Sequence, residues 1–143
     1  MDLKQLIIDT KSVWMDFPGL NGFEVEVANL SRKELLKLQK RCTITKWDRS
    51  ARMPLEELDD DKFVEQFSKA IVKNWKGLTL DHLQTLLLID TSGHDLSAEL
   101  EYSKENAEGL VRDSQEFNTW LNEVAFNLDN FRDGTEGDNV EEA

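Results

Sequence analysis

In Phe23-Glu24-Val25-Glu26-Val27 the apolar side chains occupy every second position and carboxylates fill the gaps. A helix would scatter these side chains around its circumference, whereas a strand with one buried face needs this order. The run Val13-Trp14-Met15-Asp16-Phe17 precedes it, and Pro18-Gly19-Leu20-Asn21-Gly22 lies between the two. Proline and glycine supply the restricted and left-handed backbone geometries of turns, so Val13–Val27 is predicted to form an antiparallel β-hairpin. Trp14 is out of phase with Val13 and Met15 and belongs to the opposite face.

The chain then alternates between helical and extended patterns. Ser31 before Arg32-Lys33-Glu34 forms a capping-box sequence and starts a helix that runs to about Arg41. Thr43-Ile44-Thr45-Lys46-Trp47 and Met53-Pro54-Leu55-Glu56, joined through Asp48–Ala51, predict a second hairpin, with Pro54 confining its strand to an edge. Trp47 has no assigned face. The acids from Glu56 to Asp61 fit the positive end of a following helix better than a cation site. Phe63, Phe67, Ile71 and Trp75, four residues apart with Val64 beside them, predict a helix that stops at Gly77. Leu80–Ile89 reads as helical, although periodicity leaves a buried strand open for Leu86–Ile89. Asp90–Asp95 reads as a loop, and Ser103 caps a helix over Lys104–Val111. Phe117, Trp120, Leu121, Val124, Leu128 and Phe131 recur at steps of three and four, predicting one amphipathic helix. The expected class is α+β: a small antiparallel sheet from the N-terminal hairpin plus the second hairpin, packed with about four or five helices. Residues 1–131 form the expected single domain, and 132–143, rich in acids and poor in apolar groups, the expected disordered tail.

Charge and composition narrow the function. A net charge of -12 opposes phosphate backbones, so nucleic acid is not an expected partner. The longest aliphatic run, Leu86–Ile89, falls far short of the roughly 20 apolar residues of a membrane span. Met1–Asp9 is too interrupted by charge for a signal peptide, and the lone Cys42 fits a reducing compartment. Asp90, Ser92 and His94 lack the glycine and glutamate positions of a calcium loop. His82 and His94 lack the spacing of a metal helix or a nucleophile motif and read as surface or capping residues. The glycines form no phosphate loop, and Asn29-Leu30-Ser31 matches a glycosylation acceptor only incidentally. No enzyme activity, metal or cofactor is expected. The basic residues between Arg32 and Arg41 read as the solvated face of an amphipathic helix, with a docking patch as the alternative. Of the tryptophans, Trp75 and Trp120 fall on helical stripes and read as core, while Trp14 is equally a core or a contact residue.

The succession Val13–Phe23, Leu30-Ser31-Arg32-Lys33-Glu34-Leu35, Trp75-Lys76-Gly77-Leu78, Tyr102-Ser103-Lys104-Glu105-Asn106-Ala107 and Asn130-Phe131 resembles the tail assembly chaperones of siphophages, particularly those with T5-like tails. The resemblance spans about Val13 to Phe131 and implies a non-catalytic protein of the host cell cytoplasm. Such a protein binds and solubilises the tape measure protein, promotes polymerisation of the tail tube protein around it, and is absent from the mature virion. A longer frameshifted form that contacts the tube protein is also implied; self-association is left open. The candidate contact residues are Trp14, Phe17 and Phe23 in the hairpin and Phe117, Trp120, Leu121, Val124, Leu128 and Phe131 in the last helix. The alternative is a structural or adaptor protein retained in the tail.

Overall fold

The computed structural model describes residues 1–8 and 10–132. A short helix, α1 (Leu3–Leu6), precedes the hairpin of β1 (Ser12–Asp16) and β2 (Glu24–Ala28). The chain continues through α2 (Arg32–Arg41), β3 (Thr43–Asp48), β4 (Met53–Leu58), α3 (Asp60–Ile71), β5 (Val72–Lys76), α4 (Leu80–Leu86), α5 (Lys104–Asp113) and α6 (Gln115–Ala125). A single 3-10 turn, Leu128–Phe131, follows. The class is α+β, as expected. Apart from Arg132, the acidic tail lies outside the described residues.

β2 is the centre of a three-stranded antiparallel sheet ordered β1-β2-β5. Its register sets Met15, Val25 and Trp75 in one inward row and Val13, Val27 and Val72 in another. The outward rows are Trp14-Glu26-Asn74 and Asp16-Glu24-Lys76. The alternation read from the sequence is therefore the sheet's two faces. Phe23, Val25 and Val27 are sealed from solvent, each contributing roughly 1.5–3 kcal/mol by leaving water.

The stripe from Phe63 to Trp75 is not one helix. α3 ends at Ile71, where the Val72 N–H bonds the Ser68 carbonyl, and the chain passes straight into β5. A register shift opposite Glu26/Val27 leaves Lys73 as an extra residue, so Val72 and Trp75 both face inward although they lie three apart. That spacing mimics a helical repeat. The edge of β2 supplies a ladder that a continued helix would forgo, and Ile71-Val72 is a β-branched pair well suited to it. Gly77 consequently ends a strand, with φ +75, and sits against the Gly22 backbone.

The predicted Phe117–Phe131 helix is also shorter than the apolar pattern. α6 closes at Ala125, and Asn127 caps the separate 3-10 turn through its side chain to Asp129 N–H. Leu86–Ile89 continues α4 for one residue and is then neither helix nor strand.

Local capping chemistry sets most helix starts. Ser31, Asp59, Thr79, Ser103 and Ser114 each accept from a backbone N–H three residues on. The Glu34 carboxylate lies 3.7 Å from Lys37 Nζ. His82 completes a capping box with Thr79, one of the two alternatives, surface or capping residue, read for it. Ser114 serves twice, as the last residue before α6 and the cap beyond α5.

β3 and β4 form a separate two-stranded ribbon with Trp47 opposite Pro54. Every residue of β4 is exposed, and the ribbon is closed at its base by the Asp59 N–H donating to the Cys42 carbonyl at 2.7 Å. As both strands of such a ribbon are edges, Pro54 occupies the edge position expected of it.

Candidate functional site

The hairpin and α6 bring the aromatic candidates together, facing inward. The Phe17 ring stands 5.6 Å from Phe23, 6.0 Å from Phe117 and 4.8 Å from Trp120. Phe17, Phe23, Phe117, Leu121, Val124 and Phe131 are buried in the core cluster, and Trp120 is half-buried against it. All six are buried, and of them Phe131 also borders a surface recess. Trp14 is separated from them by the sheet: it faces outward with Lys76 Nζ 4.9 Å above its ring, while Lys76 also reaches Glu24 at 3.4 Å. Leu128 is 57% exposed and lies on a different surface feature.

That feature is an apolar groove along α2. One recess of about 380 Å³ is lined by Leu35 and Gln39 of α2, Phe63, Val64 and Phe67 of α3, Val111 of α5, and Asn118, Asn122 and Phe126 at α6. It shares Leu35 and Phe126 with a second recess of about 460 Å³, which extends past Leu30, Ser31 and Arg32 to Ile8 and Leu128. Ile8, Asn29 and Leu128 also line a third, of about 290 Å³, bounded by Lys11, Phe131 and Arg132. Neighbouring recesses share these lining residues, so the three adjoin one another as a groove beside α2. Its α2 wall runs from Ser31 to Gln39, roughly 12 Å at the helical rise.

The floor is built by packing that the core already requires. Phe63 stacks on Phe67 at 5.5 Å, and Phe67 on Phe126 at 6.3 Å, so the exposed Phe126 is braced from below. Asn122 Nδ2 donates to the Asn118 carbonyl at 2.8 Å, which satisfies the polar group nearest the apolar floor. The groove thus combines a fixed aromatic base with solvent-facing apolar groups at Ile8, Phe126 and Leu128. Leu128 is the one residue of the sequence-derived candidates that borders it with an exposed side chain. Ile8, Leu35, Phe63, Val64 and Phe126 are not among those candidates, because they come from four segments far apart in sequence.

Titratable groups add little chemistry. Asp90 is held below its ordinary range by the Ser92 hydroxyl and then its amide, and Asp95 by the Ser97 amide and then its hydroxyl. These are turn contacts in an exposed loop. Tyr102 is pushed up by burial, then by Glu105 and Glu26, while its hydroxyl donates to the Val72 carbonyl at 2.9 Å. Among the described residues, no three His, Cys, Asp or Glu side chains are grouped to hold a metal ion. No described helix is long and apolar enough to cross a membrane.

A family model described as YdaY prophage protein matches residues 24–142. No curated protein matches the chain, and no solved structure does.

Proposed function

As this chain belongs to the YdaY prophage protein family, a phage-derived group, we propose that it is a tail assembly chaperone whose α2 groove covers an apolar helix of the tape measure protein. The observation that carries the reading is the set of adjoining apolar recesses lined by Ile8, Leu35, Phe63, Phe126 and Leu128. An amphipathic helix buries its apolar stripe in such a groove, reading out as anchors at helical spacing. The -12 net charge would keep the resulting complex soluble. The sequence resemblance to siphophage chaperones supplies the identity of the partner. On this reading the protein is non-catalytic, uses no cofactor, acts in the host cytoplasm alongside the tail tube protein, and departs before the virion is complete.

Co-expression tests it. The tape measure protein should be soluble with the wild-type chain and insoluble with a Phe126→Glu variant whose circular dichroism is unchanged. Equal solubility of the tape measure protein without any chaperone refutes the reading.

One observation favours the second reading, a structural or adaptor protein retained in the tail. The β3–β4 ribbon exposes Trp47, Met53, Leu55 and Leu58 on an arm with two unpaired edges, and such edges invite strand addition by a neighbouring subunit. Mass spectrometry of purified particles separates the two: a chaperone is absent from them, an adaptor present in stoichiometric amount.

A further inference from the structure

The chain's charge is strongly polarised along its sequence, and the basic stretch includes α2. Residues 32–52 carry eight basic and two acidic side chains, a net of +6 within a total of -12. Lys37 pairs with Glu34 and Lys46 with Glu57. Arg32, Lys33, Lys40, Arg41, Arg49 and Arg52 meet no carboxylate of the described residues at ion-pair distance.

On α2 these cations have a defined relation to the groove. Leu35 and Gln39 point into it, and Arg32 lines its wall. Arg32, Leu36 and Lys40 are four residues apart and form the next stripe outward, with Lys33 beside it. Leu36 is 49% exposed in the middle of that stripe. The lip of the groove is therefore a basic–apolar–basic edge. Across from it, the nearest polar groups of α6 are the neutral Asn118 and Asn122.

We infer that the groove selects an amphipathic helix bearing carboxylates along one flank of its apolar stripe, oriented so that this flank lies against Arg32 and Lys40. This rests on the groove reading above and adds the chemistry of the partner. Charge complementarity carries it: the apolar floor accepts any amphipathic helix, but the lip attracts only one sign. Nucleic acid has the sign but no apolar stripe for the floor, and the remainder of the chain repels it. Charges on a lip act chiefly on partner choice and encounter, and are screened over about 10 Å at 0.1 M salt.

Three synthetic helical peptides with one leucine stripe, flanked by Glu, Gln or Lys, test this by fluorescence anisotropy on the full chain. The Glu peptide should bind about tenfold tighter than the Gln peptide at about 0.1 M salt, with the advantage falling to about twofold at about 0.5 M. The Lys peptide should be weakest. In an Arg32→Glu/Lys40→Glu chain the order should invert, which separates a direct charge contact from a folding defect. Equal binding of all three peptides overturns the charge inference and leaves the groove reading standing. Failure of all three to bind overturns the groove reading as well. A dimer in sedimentation that Phe126→Glu dissolves would place a second copy in the groove and overturn both.

Discussion

Replacing Gly77 by alanine isolates how the sheet and the first turn are locked together. Gly77 has φ +75, and a Cβ there would overlap the Gly22 carbonyl oxygen, with the carbonyl carbon 2.7 Å away. Gly93 has nearly the same backbone, φ +79, with nothing within 4 Å of a Cβ. Gly93→Ala therefore reports the left-handed backbone penalty alone, roughly 1–2 kcal/mol. Gly77→Ala pays the same penalty and must also displace backbone against backbone, where no rotamer change gives relief. Overpacking of that kind costs about 1–3 kcal/mol more, so the total is about 2–5 kcal/mol. A chain of this size has about 5–15 kcal/mol to lose. Urea unfolding followed by circular dichroism should place the Gly77→Ala midpoint clearly below that of Gly93→Ala, with both below the wild type. Equal midpoints for the two variants would show that the Gly77–Gly22 approach is not a constraint and would refute the reasoning.

Two other outcomes follow from single side chains. Ser114→Ala removes a buried hydroxyl that accepts from the Phe117 N–H at 3.1 Å, and should cost about 1–2 kcal/mol in chemical denaturation. A loss below about 0.5 kcal/mol, the lower end for a cap, would mean that the cap is dispensable. Tyr102, the one tyrosine, should titrate above its ordinary value of 10.0 when followed through its phenolate absorbance. Because its folded-state pKa is raised, its contribution is complete below the unfolded value and is lost as pH rises through the folded one. Tyr102→Phe should flatten stability in that alkaline window, and an unchanged slope there would rule out the assignment.

What could be read from the sequence was what is decided locally. The hairpin follows from a five-residue alternation and a Pro-Gly turn, and α2 begins where Ser31 can accept from the Glu34 N–H at 3.2 Å. Trp75 was misplaced because residues three and four apart look helical, and the bulge that turns Val72 and Trp75 to one face exists only once β2 is beside them. Leu128 and Phe131 read as part of one long helix because their spacing of three and four runs on past Asn127, whose capping of a separate turn is seen only in the fold. The groove was invisible for a different reason. Its apolar groups are spread from Ile8 to Leu128, and no window of sequence contains the juxtaposition that makes them a groove.

The passage of α3 into β5 with no residue between them ties one wall of the groove directly to the sheet. Rotating or sliding α3 would drag Val72 off its partner Val27, so the wall bearing Phe63, Val64 and Phe67 moves only with the sheet. α2 joins β2 through residues 29–31 and reaches α3 only through the β3–β4 ribbon, so the opposite wall has no such direct continuation into the three-stranded sheet.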